Sequence, residues 1–401
     1  MSVKKYLPSI PIHELIFNII VLILIAALAL MPTGFPTNDY PNSARAAARV
    51  LEVNNDNVFG SIGFVFQGEQ VCKVEILDGP FKGQQTYANN RFTGRLEVDK
   101  VFTKGDKALV VLDYTGQTIR YVTMIDHYRI NLEAILFVVF ALFLILFARW
   151  TGAKALMSFL LTVLMIWKLL IPMLLKGWNP ILIALFFVIT ATTVILFMVG
   201  GINRKSAAAV LGSLAGTLLT TILALIVGNS FKIHGAVLSH SESLLYAGYA
   251  HLNLTEIMIA VVFIASAGAL MDLAIDIAAA VNEVVERNPD ISTAEAIRSG
   301  FNVGKAVVGT MTTTLLFAYT GGYIALLMVF MAQGTPVVNI LNLKYVSKEI
   351  IHTVVGSFGL VAVAPFTAVS AGILLTKKTL VNTHSENTAE HHPTVLESAG
   401  D

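Results

Sequence analysis

Along most of this chain apolar residues come in long blocks and do not alternate with polar ones. Blocks of about 17 to 25 residues are long enough to cross a bilayer as a helix. They recur near 12–31, 132–148, 155–175, 180–200, 206–228, 256–280, 307–332 and 349–376, which predicts eight transmembrane helices. The texture changes in residues 32–131. Short, partly alternating runs at Ala44 to Val53, Gln70 to Leu77, Gln84 to Asn89, Gly94 to Val98, Lys107 to Asp113 and Thr118 to Met124 predict five or six strands in a small barrel or sandwich. Turn clusters separate them, at Asn54 to Asn57, Asp78-Gly79-Pro80 and Lys104-Gly105-Asp106.

Four segments follow: 1–31 as a start and first transmembrane helix, 32–131 as a β-rich domain, 132–376 as a seven-helix core and 377–401 as a polar, aperiodic tail expected to be disordered. The fold class is thus an all-α polytopic membrane helix bundle carrying a small all-β domain after its first helix. Residues 281–305 are the longest loop on their side. Pro289 ends the preceding helix there, and Ser292 with Glu295 forms a capping-box pattern that starts a short amphipathic helix through Arg298 to Phe301.

Composition agrees with lipid as the solvent. Hydrophobic residues make up 55% and charged residues only 13% of the 401, against about 25% charged in an ordinary soluble domain. A net charge of +1 supplies no basic field for nucleic acid. One cysteine, Cys72, excludes an intramolecular disulfide and a cysteine-rich metal site. Lys4 and Lys5 ahead of Ile16 to Leu30 also fit a signal peptide, but no clean cleavage junction follows, so an uncleaved anchor is expected.

Charge sets an orientation once the spans alternate. With the N-terminus in the cytoplasm, Lys4, Lys5, Arg149, Lys154, Arg204, Lys205, Arg287, Arg298, Lys305, Lys377 and Lys378 fall inside. Only Lys176, Lys232, Lys344 and Lys348 fall in the short outer segments, eleven against four. Both termini are then cytoplasmic and residues 32–131 extracytoplasmic.

Candidate chemistry lies in the sixth span. Asp272 and Asp276 are ~40° apart around a helix and Glu283 is within ~20° of Asp272, so all three share a face. At ~1.5 Å per residue, Asp272 sits roughly 12 Å above Ala280, inside the bilayer. A carboxylate at that depth costs about 2.5–3.5 kcal/mol, so it is expected to meet a cavity or a partner. The seventh span is dense in hydroxyls, and Thr310 and Thr314 share a face that could oppose the aspartates. Threonine also bonds its own backbone, and small residues also serve packing. Weaker candidates are Glu349, at the start of the last span, and Pro365, which interrupts its middle and could free backbone carbonyls. Ala208, Gly212 and Gly216 form a small-xxx-small packing seam.

Histidines at 234, 240 and 251 and at 384, 391 and 392 lack ligand spacing, so no metal is expected. No phosphate-binding glycine loop is present and no cofactor is implied. His13-Glu14 lacks the second histidine of a zinc-protease motif.

Several stretches carry a resemblance: Met271-Asp272, Asn282-Glu283, Asn288-Pro289, Ser299-Gly300, Gly309-Thr310-Met311 and Thr314 to Tyr319, then Glu349-Ile350, Gly356 to Leu360 and Pro365 to Ala368. Over about residues 130–376 the chain resembles the YibE/F-like family of bacterial multi-pass membrane proteins. The resemblance implies a polytopic bundle and no particular substrate. Ala306 stands where relatives tend to have an acidic residue, and Thr313 where they tend to have asparagine.

The expectation for function is a secondary transporter or permease for a small solute or ion, and not an enzyme. The alternative is a membrane scaffold whose residues 32–131 bind a partner protein.

Overall fold

The computed structural model describes residues 12–35, 42–60 and 65–386, with side chains to residue 376. The early lysines Lys4 and Lys5, the side chains of Lys377 and Lys378, and the tail histidines at 384, 391 and 392 lie outside the described side chains. The chain divides into two compact units, residues 34–147 and residues 1–33 with 148–401.

The smaller unit holds a closed five-stranded barrel, in the order β1 (Ser43–Gly60), β2 (Phe66–Ile76), β3 (Gln85–Thr93), β5 (Thr118–His127), β4 (Lys107–Thr115). Neighbours pair antiparallel except β3 and β5, which meet in parallel at the single pair Asn89↔Thr123. Alternation fills the interior with Ala46, Ala48, Val50, Cys72, Val74, Ile76, Ala88, Val110, Leu112, Val122 and Met124. Two predicted features differ. The Asn54 to Asn57 cluster is no turn but a bulge within β1: Asn54 faces Val71 and Asn57 faces Glu69, so an extra residue is extruded and the strand continues. Gly94 to Val98 is a turn and not a strand, because the Asp99 carboxylate gathers the backbone N–H groups of Thr93, Gly94 and Arg95 at 2.7–3.0 Å. Burial opposes the ionisation of Asp99, but those hydrogen bonds outweigh it and hold its carboxyl below the usual range. The following segment is stitched to the barrel by Gln70, whose amide oxygen accepts from Phe102 N and whose amide nitrogen donates to Phe102 O.

Among the described residues, seven helical segments are long and apolar enough to cross a membrane: α1 (Ile12–Leu30), α2 (Ile130–Leu175), α3 (Pro180–Gly200), α4 (Arg204–Ser230), α5 (Leu254–Arg287), α6 (Thr293–Ala332) and α7 (Lys344–Thr376). The expected spans 132–148 and 155–175 both lie in α2. They are separated at Arg149, whose φ of 49° and ψ of −122° are not helical. The broken segment therefore accounts for seven segments where the apolar blocks number eight.

The helical unit is organised around α7, which packs against α4, α5 and α6. Small residues set these contacts. Side chains added at Gly212 and Gly216 of α4 would overlap Thr367 and Val363 of α7, and one at Gly359 of α7 would overlap Thr220 of α4. The seam read from the spacing of Ala208, Gly212 and Gly216 is thus a helix contact. On α6, Gly300 and Gly304 face Ala368 and Ala364 of α7. These contacts explain why the expected loop at 281–305 is mostly helix: Val281, Ala296, Gly300 and Gly304 are buried, so the amphipathic pattern continues past the apolar blocks. Only residues 288–292 connect α5 to α6, and the Ser292/Glu295 capping box starts a helix that runs on to Thr320. A single 3-10 turn, Gly321–Tyr323, then interrupts α6.

Candidate functional site

The core face of α5 carries Leu270, Leu273, Ala274, Ile277, Ala278 and Val281, all buried. Its other edge carries Ala265, Gly268, Asp272, Asp276 and Glu283, all exposed. The three carboxylates therefore share a face, as their spacing implies, but that face is open and not sunk in the bundle. Among the described residues neither Asp272 nor Asp276 has a hydrogen-bond or ion-pair partner. Glu283 does: Arg287 donates to it at 2.7 Å from one turn further on, an exposed helix-surface pair that separates it from the two aspartates.

The neighbouring helix α6 also turns an open side outward, with Lys305, Ala306, Gly309, Thr310, Thr313 and Thr314 exposed. Ala306 and Thr313 are both on it. The threonine hydroxyls donate backward along their own helix, Thr310 to Val307 O at 2.9 Å and Thr314 to Thr310 O at 3.0 Å. They do not hydrogen-bond to the aspartates, and they keep their oxygen lone pairs free to accept. Side chains added at Gly268 or Gly309 would meet nothing within 4 Å. Each of these two packed helices therefore has an open polar edge, α5 with two unpaired carboxylates and α6 with a row of acceptor oxygens.

A second polar cluster is better enclosed. On α7, Lys348 Nζ lies 3.0 Å from Glu349 and His352 Nδ1 lies 3.8 Å from the same carboxylate, with all three side chains at most 16% exposed. The Tyr319 ring of α6 stacks on His352 with centroids 4.1 Å apart and planes 17° from parallel, and the Tyr323 hydroxyl faces Glu349. The Tyr319 hydroxyl and His352 Nε2 are buried without a partner. Pro365, further along α7, does not break the helix. The helix continues through it, since proline fits helical φ and the packing of α4 and α6 on both sides holds the segment.

Sequence reasoning singled out Glu349 alone of the first of two such arrangements, and neither residue of the second. Lys348, Glu349 and His352, with Tyr319 and Tyr323 one turn apart, are a dense polar set inside apolar spans, and that density was the available signal. The other is an ion pair between Lys154 of α2, 7% exposed, and Glu14 of α1 at 3.0 Å. Lys154 reads locally as a loop charge, and nothing near it in the chain points to a partner 140 residues away.

The loop histidines serve local structure. His234 Nδ1 accepts from Ala236 N, and His251 Nε2 lies 3.3 Å from Leu175 O. Among the described residues no three His, Cys, Asp or Glu side chains converge as a metal site would require.

A bundle of this length and apolarity, with a barrel inserted after its first helix, defines a multi-pass membrane protein. The chain belongs to the YibE/F-like protein family, whose profile matches residues 136–377. No curated protein and no solved structure matches it.

Proposed function

We propose that this protein is a secondary permease for a small solute or ion, with its path along the open polar edges of α5 and α6. The observation that carries the reading is the pair Asp272 and Asp276, unpaired and uncovered within a helix apolar enough to cross a membrane. A charge in hydrocarbon is costly enough that such groups face water, cargo or another protein surface. The acceptor oxygens of Thr310 and Thr314 lie on the second edge and suit a cation or a hydrogen-bond donor. By the charge asymmetry of the loops, both termini lie in the cytoplasm and the barrel outside the membrane. No bond-making chemistry is proposed, because both aspartates lie on one helix and are not brought together from two.

Substituted-cysteine labelling tests the path. In a Cys72→Ala background, single cysteines at 272, 276, 310 and 314 are expected to react with a membrane-impermeant thiol reagent. Four silent positions in folded protein would mean a sealed contact surface and would remove the permease reading.

The second reading, a scaffold, draws on the exposed rings of Tyr87 and Tyr121 on the barrel, where Tyr121 also accepts from the Asn89 amide. If a protein co-purifies and is lost when residues 36–128 are deleted, with the helices still folded, that reading takes over.

A further inference from the structure

We propose that His352 is a buried proton-binding site, and that the proton is the ion this bundle moves or is driven by. The second half rests on the permease reading and the first does not.

The argument starts from what each atom of the imidazole can do. Nδ1 faces the Glu349 carboxylate at 3.8 Å, and Nε2 is buried with no partner, in a side chain only 8% exposed overall. A neutral ring with its hydrogen on Nδ1 directs that hydrogen at the carboxylate and leaves Nε2 as a bare lone pair. A bare acceptor in a buried site is unfavourable because the water it gave up is not replaced. The Tyr319 hydroxyl, on the ring stacked against His352, is bare as well. Two unfilled polar atoms on adjoining rings mark a place for water, and through water for a proton.

The charged surroundings suit its arrival. On α7 itself the groups near the ring are Lys348, Glu349 and Tyr345. From α6 and its 3-10 turn come Tyr319 and Tyr323. From α5, the Ser266 hydroxyl is bonded back to its own helix and, like the Tyr319 oxygen, borders Gly356 of α7. The part of α4 beside this turn of α7 is apolar, with Leu223 and Val227 near Ile351 and Val355. Lys348 and Glu349 cancel, so the cluster is neutral with a neutral imidazole and carries one positive charge after protonation. In the step, the Nε2 lone pair forms an N–H bond to a proton of hydronium, the hydronium O–H bond breaks and water remains. Glu349 then faces an imidazolium.

The position also matters. Ser266 marks the level of this cluster on α5, and Asp272 lies six residues further along, ~9 Å by helical rise. The His352 cluster and the aspartates therefore lie at different levels along α5, the first enclosed and the second on its open edge.

The test uses the full chain in lipid nanodiscs with isotope-labelled histidine. The His352 ring resonances are assigned by their loss in His352→Gln. Should that variant not accumulate, the change in ring-current shift in Tyr319→Leu assigns them. The expected result is a change in these resonances on acidification as the ring takes up a proton. Glu349→Gln, which removes the facing carboxylate, should displace the pH of that change. Resonances that stay constant on acidification overturn the proposal, and so does a Glu349→Gln profile identical to the wild type. Silent cysteines on α5 and α6 would remove the permease reading while leaving the ring measurement as it stands, so the two fail separately.

Discussion

Replacing Glu14 with alanine leaves the Lys154 ammonium in its buried setting without a counter-charge. The pair sits at 3.0 Å with side chains 9% and 23% exposed. At an effective dielectric constant of about 20, two unit charges at that distance attract by about 5 kcal/mol. Desolvation consumes much of that gain, but breaking such a pair from one side costs about 3–5 kcal/mol because the remaining charge stays buried. Glu14→Ala and Lys154→Met are therefore each expected to lower the melting temperature of the detergent-solubilised protein by several degrees, read by fluorescence-detected size exclusion. The double variant Glu14→Leu/Lys154→Met should recover most of the loss, since neither charge is then stranded. Coupling in this cycle also reports whether α1 stays docked, because its Val21 and Leu28 share a core with Leu161, Met165, Phe187 and Val188. Strictly additive single effects would refute both the pair and the docking. So would a mature protein that lacks residues 12–30.

Three further outcomes are expected. Cys72 is fully buried, and burial first, then the nearby Asp106 charge, pushes its thiol up to about 11. Maleimide should label it only on unfolding. The stability gained by keeping it neutral is complete below the ordinary thiol range near 8.5 and is lost as pH rises toward 11. Asp99, held low by hydrogen bonds from Thr93, Gly94 and Arg95, stabilises its turn above the ordinary carboxylate range, and that stability is lost as pH falls through the depressed value. Asp99→Asn should accelerate hydrogen exchange of residues 85–99 at neutral pH, and an unchanged rate would count against the role. Gly216→Leu should destabilise the bundle by at least about 1–3 kcal/mol by overpacking, while Gly309→Ala should be neutral, and equal melting of the two would remove the seam.

The apolar blocks located the spans because a bilayer-crossing helix needs length and hydrophobicity more than any particular partner. The same criterion failed at 281–305, where Gly300, Ala296 and Val281 keep helices packed with far fewer apolar residues. Strand alternation found the barrel walls, but not that Asn55 and Asp56 could bulge out and let β1 continue. The aspartates were legible as charges in a span, and their shared face followed from periodicity. That the face is open did not, because it depends on where α7 and α4 pack. The His352 cluster and the Glu14–Lys154 pair depend on residues far apart in sequence meeting in space, which no local pattern encodes.

Closure of the barrel limits how the β domain can recognise anything. A sheet with a bare edge offers its backbone N–H and C=O groups as a template, and an extended peptide of almost any composition can add to it. Here each strand has neighbours on both sides, so that sequence-tolerant mode is blocked around nearly the whole ring. The thinnest link is between β3 and β5, joined at one register pair. Anything that binds the domain must read side chains and loops, which makes its recognition selective by construction, or else pry open that one seam.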